Sequence, residues 1–322
     1  MVKKKVSIIF TVLNEEKSVS NLLESIAKQT RKPDEIVVVD GGSRDKTVEV
    51  LKRYSKKLLM RIFVAKGANI SQGRNIAIQH AIGPIIVTTD GGTVHDKNWL
   101  KSIVKNIEAG YDVSAGLFYP LPKTEFEEIV GRLFYPNMDK VPDDWRPSSR
   151  SAAFTKKVWK ESGGYPEELY TAEDAVFNYR LKEVGARYKT ARNTKSYWRP
   201  RSNFKRFFKQ YFTYAKGNGE SLLALYRYPE CRMFYLFWSL VIAGIVAYFW
   251  SQIMPLFLLI AFLMALFAKS FRALWDFRKA LIGVGLLLSA FVANALGNHY
   301  GLLRRLLGKV KVKKVEYIKI VK

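Results

Sequence analysis

Val37-Val-Val-Asp40-Gly-Gly-Ser-Arg-Asp45-Lys-Thr47 is an apolar run that meets a carboxylate and two glycines before helix-forming sequence resumes. Open α/β sheets bind ligands beyond the carboxyl ends of their strands, where a carboxylate can accept hydrogen bonds from a base or ribose. A similar unit occurs twice more: residues 6–13 run into Asn14-Glu15-Glu16, and residues 85–89 run into Asp90-Gly91-Gly92. Three strands ending in acidic or amide groups point to one pocket. Local roles compete with this reading, because Asp before Gly-Gly also forms turns. Glu15 and Glu16 equally suit a first helical turn, where acids favour the dipole.

Outward from these strand ends, residues 3 to about 110 alternate apolar and amphipathic stretches, as a parallel sheet covered by helices requires. The spacing predicts strands over 6–13, 35–40, 59–65 and 85–89, and helices over 18–29, 47–56, 71–81 and 97–108. Residues 111–199 are less regular and rich in proline and aromatics. No internal repeat and no low-complexity segment occurs beyond this alternation.

The 322 residues suffice for a full α/β domain and more. No charged residue occurs over 233–268, a run too long for one span of roughly 30 Å of hydrocarbon. It reads as two helices, 233–250 and 253–268, broken near Ser251-Gln252 and Pro255, with a third uncharged stretch at 280–303. Buried core helices are the competing reading. Met1-Val-Lys-Lys-Lys5 before an apolar run has the look of a signal peptide. However, that run ends at Asn14-Glu15-Glu16-Lys17 without a small-residue cleavage site, so it is expected to be the first strand. A lone Cys231 forms no internal disulfide and fits a reducing compartment.

The net charge of +25 is uneven: residues 231–322 carry 13 basic and 2 acidic side chains. Most of these flank the apolar segments, where each basic residue near anionic headgroups is worth about 1 kcal/mol. Nucleic-acid binding is the rival meaning of so basic a chain, and only one stretch recommends it. Between Val184 and Gly219 stand ten Lys or Arg and no acid. There Phe204, Phe207, Phe208, Tyr211 and Phe212 repeat at helical spacing, which suits a helix lying in a membrane interface or an amphipathic helix packed on the domain.

Thr11-Val-Leu-Asn-Glu-Glu16, Val38-Val-Asp40-Gly-Gly-Ser-Arg-Asp-Lys-Thr47, residues 67–75 with Gly73-Arg74-Asn75, Arg150-Ser-Ala-Ala-Phe154, Gly163-Gly-Tyr165 and Ala172-Glu-Asp174 follow one another in that order. The series, over roughly residues 4–228, resembles the family 2 glycosyltransferases of GT-A fold in a membrane-anchored subgroup. The resemblance implies an α/β, Rossmann-like GT-A domain over 1–200, with a nucleotide-sugar-binding half at 1–110 and an acceptor half at 111–200. A basic aromatic interfacial helix at 201–228, a transmembrane region at 229–303 and a basic tail at 304–322 would follow.

The same resemblance implies sugar transfer with inversion from a nucleotide-diphosphate sugar, a UDP- or GDP-sugar. Thr11, Asn14, Glu16, Asp40, Gly41, Arg74, Asp90 and Gly91 would bind the donor, with Asp40 at the base and Arg74 closing the far side. Glu173-Asp174 matches the family's acidic pair. Asp174 would take the acceptor proton, with Glu173 orienting it, and a base working near neutral pH should be partly desolvated so that its pKa rises. The pair also suits a helix N-terminus.

Where the family has Asp-x-Asp for Mg²⁺ or Mn²⁺ across the diphosphate, this chain has Asp90-Gly91-Gly92, with His95 and Asp96 following. One carboxylate can serve if the phosphates supply most other ligands. Otherwise Arg199, Lys205, Arg206 and Lys209 would carry the diphosphate charge. The Gln-x-x-Arg-Trp motif of processive members is absent, Gln210-Tyr-Phe-Thr-Tyr214 standing in its place, which argues against a cellulose- or hyaluronan-type polymerase.

A cytoplasmic catalytic domain on a multi-pass anchor implies a lipid-linked or other membrane acceptor, and no nucleic acid. Basic residues before Met233 and over 269–279 agree with a hairpin whose ends are cytoplasmic. The third stretch either crosses, leaving Arg304-Arg305 and the basic tail outside against that tendency, or lies in the interface or bends back. A polyprenyl- or dolichyl-phosphate sugar synthase and a non-catalytic nucleotide-sugar-binding scaffold are the remaining readings.

Overall fold

β1 (Val6–Val12) is buried almost throughout and alternates its side chains between two cores. Val6, Ile8 and Phe10 enter one cluster, and Ile9 enters another. Strands buried on both faces belong to sheets covered on both sides, and the rest of the chain supplies both covers. In the computed structural model, which describes residues 4–223 and 232–321, β1 is followed by α1 (Val19–Ala27), β2 (Glu35–Asp40), α2 (Thr47–Ser55), β3 (Met60–Val64), α3 (Ile70–His80), β4 (Ile85–Thr89), β5 (Thr93–His95) and α4 (Trp99–Glu108). Then come β6 (Val113–Pro120), α5 (Glu125–Phe134), β7 (Ser151–Thr155), α6 (Lys156–Glu161), α7 (Glu173–Glu183) and β8 (Tyr188–Trp198). The chain ends with α8 (Phe204–Glu220), α9 (Arg232–Trp250), α10 (Met254–Leu274), α11 (Phe277–Leu306) and β9 (Ile318–Val321).

These elements form two units, one of Met1–Tyr119, Asn137–Arg199 and Val312–Lys322, the other of Pro120–Pro136 and Pro200–Lys311. The first holds a nine-stranded sheet in the order β5-β8-β6-β7-β4-β1-β2-β3-β9. Its centre, β4-β1-β2-β3, is parallel, with Ile8 beside Ile36 and Ile36 beside Met60. β7 runs antiparallel to both β4 and β6. Leu22, Leu23 and Ile26 of α1, Leu51 of α2 and Trp99 and Ile103 of α4 cover one face. Ile76, Ala77 and Ile78 of α3 and Phe177 and Leu181 of α7 cover the other. The parallel core brings the carboxyl ends of β1, β2 and β4 to one edge, which places their loops side by side.

In the second unit α8 lies against α11 at very short range. A Cβ on Gly301 would stand 2.0 Å from the Lys216 carbonyl oxygen, and one on Gly297 2.4 Å from that of Phe212. Arg304 Nε of α11 donates to Glu220 at 2.6 Å, and Lys279 pairs with Glu128 of α5 at 3.0 Å. Phe207 is fully buried among Phe126, Phe134 and Tyr211. The stripe expected to face lipid is therefore partly the core of this unit, because α5 and α11 cover it. The helix expected over 201–228 spans Phe204–Glu220, and residues 224–228 lie outside the described residues.

The three uncharged stretches are α9, α10 and α11. α10 and α11 are long and apolar enough to cross a membrane, with 6% and 44% of their apolar windows buried. The expected basic tail over 304–322 needs correction. From Val312 the chain belongs to the first unit, and β9 joins the sheet edge at β3.

Candidate active site

Local sequence chemistry sets α3 in place. Asn69 accepts from the Gln72 backbone N–H at 2.9 Å, and Gln72 Oε1 accepts from the Asn69 N–H at 3.1 Å, a reciprocal cap that starts the helix. Gly73 allows close approach to β1, since a Cβ there would lie 2.6 Å from Thr11 Cγ2. The next residue, Arg74, is thereby pushed into the interior, with its side chain 1% exposed. α7 begins after Ala172, which adopts a left-handed φ of 66° and turns Glu173 and Asp174 into the first helical turn. Asn178, one turn on, donates to the Pro147 carbonyl at 2.9 Å and ties α7 to the segment carrying Ser148 and Ser149.

Arg74 joins three carboxylates that the sequence separates by up to a hundred residues. Its Nη1 donates to Glu173 Oε1 at 2.9 Å and Asp174 Oδ1 at 3.0 Å, and its Nη2 donates to Asp90 Oδ1 at 3.0 Å. The guanidinium lies 5.2 Å over the Tyr165 ring. Burial opposes its charge, but the Asp174, Asp90 and Glu173 carboxylates more than offset this and hold its pKa above the ordinary value. Asp174 also accepts from the Ser149 backbone N–H at 3.1 Å, from Ser148 Oγ at 3.3 Å and from Ser149 Oγ, which in turn meets the Tyr165 hydroxyl at 2.6 Å.

Two guanidinium groups, Arg74 and Arg150, face three carboxylates, so a proton is favoured on the most buried one. That group is Glu173, whose pKa rises to about 7 through burial first and the adjacent Asp174 carboxylate second, against Arg74. Of the pair, Asp174 keeps its side chain 28% exposed, whereas that of Glu173 is 11% exposed. The arrangement thus offers a solvent-reaching carboxylate with a fixed orientation, backed by a buried partner.

The donor candidates are partly engaged with one another. Asp40 is fully buried and accepts from the backbone N–H groups of Gly42 and Ser43 at 2.8 Å each and from the Ser43 hydroxyl. Asn14, at a left-handed φ of 56°, accepts from the Arg44 N–H at 2.9 Å, and Glu16 accepts from the Lys46 N–H at 3.1 Å. The β1–α1 and β2–α2 loops are therefore bonded together. Gly41 donates its N–H to the Val12 carbonyl at 2.9 Å. A Cβ on Gly91 would come within 3.2 Å of Val12 Cγ1. Arg74, proposed to close over the nucleotide, is bonded here to the acidic group.

Asp90 is one-third exposed, with Oδ1 on Arg74 and Oδ2 3.7 Å from Arg150 Nε. Arg150 itself stacks 4.5 Å from the Trp198 ring and 5.0 Å from Phe118. His95 is no partner for a cation at Asp90. It is buried, stacked 3.6 Å from Trp99, bonded to Thr89 and Ser196, and its pKa falls to about 3 through burial. Asp96 accepts from the Asn98 N–H at 2.9 Å. Among the described residues no three His, Cys, Asp or Glu are grouped to hold a metal ion. Gly92 has open space where a Cβ would stand, so nothing steric excludes a second carboxylate there.

Arg199 ends the second segment of the first unit and is exposed, whereas Lys205, Arg206 and Lys209 are exposed positions of α8 in the second. No role for Arg150, Ser148 or Ser149 is legible in the sequence. Arg150 opens one of the quoted segments, but its bond to Asp90 depends on β4 pairing with β7.

The model of Glycosyl transferase family 2 matches residues 7–158. The poly(ribitol-phosphate) beta-N-acetylglucosaminyltransferase TarS of Staphylococcus aureus is 26% identical over 187 residues, covering 55% of this chain and 32% of TarS. Its residues 1–349, solved in complex with UDP-GlcNAc, align at TM-score 0.54 and 20% identity over 94% of this chain and 92% of that one. The mannosyltransferase PcManGT from Pyrobaculum calidifontis, solved with GDP-Man and Mn²⁺, aligns at TM-score 0.59 and 18% identity over 96% and 89%. The undecaprenyl-phosphate 4-deoxy-4-formamido-L-arabinose transferase of Photorhabdus laumondii is 33% identical over 117 residues, 34% of this chain and 36% of that protein. The chain spans a third or less of the length of the first curated relatives it matches. At these identities the structural likenesses establish the fold, GT-A.

Proposed function

We propose that this chain, which carries a family 2 glycosyl transferase domain of GT-A fold, moves a sugar with inversion from a UDP- or GDP-sugar to a membrane-bound, lipid-linked acceptor. The observation that carries the reading is the Arg74 cluster, which joins Asp90 to the Glu173-Asp174 pair. Asp90 ends a strand at the nucleotide edge of the sheet, and Asp174 reaches solvent. One charged side chain thus fixes the spacing between a leaving-group residue and a base.

In this mechanism the acceptor hydroxyl attacks the anomeric carbon, its proton passes to an Asp174 carboxylate oxygen, and the bond from that carbon to the diphosphate breaks. Ser148, Ser149 and Arg74 keep Asp174 in one orientation, so no rotamer search precedes proton transfer. Arg150 and Arg74 contribute positive charge beside Asp90, and Arg199 of the same unit is a further cation proposed for the diphosphate.

Asp90, one-third exposed, is the carboxylate that would hold a divalent cation, Mg²⁺ or Mn²⁺, arriving with the diphosphate, in exchange for its contacts with Arg74 and Arg150. When bound, the cation supplies neutralisation of the leaving diphosphate. A membrane-bound acceptor is supported by the apolar helices, and the relative named an undecaprenyl-phosphate 4-deoxy-4-formamido-L-arabinose transferase links such domains to a polyprenyl lipid without deciding between a hydroxyl and a phosphate acceptor.

Asp174→Asn tests the assignment. We expect transfer to fall at least a thousandfold, with nucleotide-sugar affinity within about threefold of the parent by calorimetry. Near-parental turnover would remove Asp174 as the base and favour a phosphate acceptor, which needs little base catalysis.

A further inference from the structure

We infer that α11, although apolar and long enough to span a bilayer, does not cross it, and that the inserted element is the α9–α10 hairpin alone. The inference deepens the membrane reading above and rests on it.

Chain connectivity supplies the first step. β9 pairs antiparallel with the β3 edge, Phe63 opposite Lys319 and Val64 opposite Ile318. Gln72 Nε2 donates to the Lys313 carbonyl at 2.5 Å, and Tyr317 meets His80 Nε2 at 3.1 Å. Ile320 and Val321 pack on the core beneath the sheet. The chain thus leaves the water-facing sheet unit after Arg199 and is back in it from Val312. Any complete crossings between those points must be even in number, so three cannot occur.

The ends of α11 identify which helix stays out. Leu306 is followed within six residues by Val312, a distance of at most about 20 Å of extended chain. That is too short to return across roughly 30 Å of hydrocarbon. At the other end Arg278 and Lys279 pair with Glu125 and Glu128 of α5 at 3.3 and 3.0 Å. α5 is itself reached within six residues of Tyr119 and left within three of Asn137, both in the sheet unit. Both ends of α11 are therefore tethered by short chain to one side.

Its surface agrees with this. Val292, Leu296, Tyr300 and Leu303 are exposed at spacings of four, four and three, a single apolar stripe of the kind an in-plane helix presents. The opposite side holds the buried Asn294 and Asn298, the Asn298 carbonyl oxygen 2.2 Å from where a Cβ on Gly219 of α8 would stand, and the Arg304–Glu220 ion pair. α10 differs, with large apolar side chains exposed all round, from Met254 to Leu259. Phe249 and Trp250 at the hairpin tip are 84% and 85% exposed.

Single cysteines at Lys46→Cys, Phe277→Cys and Lys309→Cys, all exposed positions, placed one at a time in a Cys231→Ser full chain, test the inference. A membrane-impermeant maleimide is applied to inside-out and right-side-out vesicles. All three are expected to label in the same vesicle orientation. Labelling of positions 277 and 309 from opposite sides would overturn it. An alkaline carbonate wash of the same vesicles separates the two layers of argument. The protein is expected in the pellet, and its release into the supernatant would remove the membrane reading itself.

Discussion

Arg74 is the residue whose loss should cost most. A buried ion pair broken on one side leaves an uncompensated charge, at about 3–5 kcal/mol, and Arg74 leaves three carboxylates. Arg74→Met should therefore destabilise by that order in thermal unfolding although it keeps much of the volume, and a loss under about 1 kcal/mol would mean that the carboxylates are solvated some other way. Glu173 gives a pH signature. Because its folded pKa is raised from 4.5 to about 7, the folded chain holds a proton that the unfolded chain releases, and this contribution to stability is lost as pH rises through about 7. Glu173→Gln should flatten the melting temperature between about pH 5 and pH 8, and an unchanged slope would contradict the assignment. The strand-end spacing and ordered motifs named Asp90, Arg74, Glu173 and Asp174 in the sequence. That Arg74 bonds the other three was not legible, because a contact between residues 16 to 100 positions apart leaves no periodic trace. Which acid is desolvated depends on burial, and adjacent residues read alike.

At the level of elements, alternation located β1 to β4 and α1 to α4 within a few residues, since strands covered on both faces are predominantly apolar. β6, β7 and β8 were not separable in the sequence. They pair antiparallel across long loops, and β8 mixes buried Ala191 and Thr194 with exposed Arg192 and Lys195. β9 was hidden by its lysines, because a four-residue run of Ile-Lys-Ile-Val reads as a charged tail until its partner edge is known. The glycines of α11 carried a signal that charge and hydropathy passed over. With the Lys216 carbonyl only 2.0 Å from a Cβ on Gly301, Gly301→Leu should force α8 and α11 apart. It should lower the stability of the detergent-solubilised protein by at least about 1–3 kcal/mol, the usual cost of overpacking. A neutral result would mean that the two helices do not pack through this face.

The whole molecule combines a GT-A sheet unit with a helical unit that exposes far more apolar surface than water favours, and charge is concentrated around that surface. Such a surface is not needed for solubility, and the membrane-bound acceptor proposed above would give it a purpose. Composition made both units legible: uncharged stretches with flanking Lys and Arg marked the apolar helices, and strand-end acids marked the sheet. The most direct test of the account supplies the detergent-purified chain with radiolabelled UDP- and GDP-sugars in turn, with Mn²⁺, Mg²⁺ or chelator, in vesicles containing polyprenyl-linked sugar acceptors. The label that partitions into the organic phase is then counted. The account predicts transfer from one nucleotide class, lost in Asp174→Asn. Binding of a nucleotide sugar without transfer under any condition would contradict it and favour a non-catalytic scaffold.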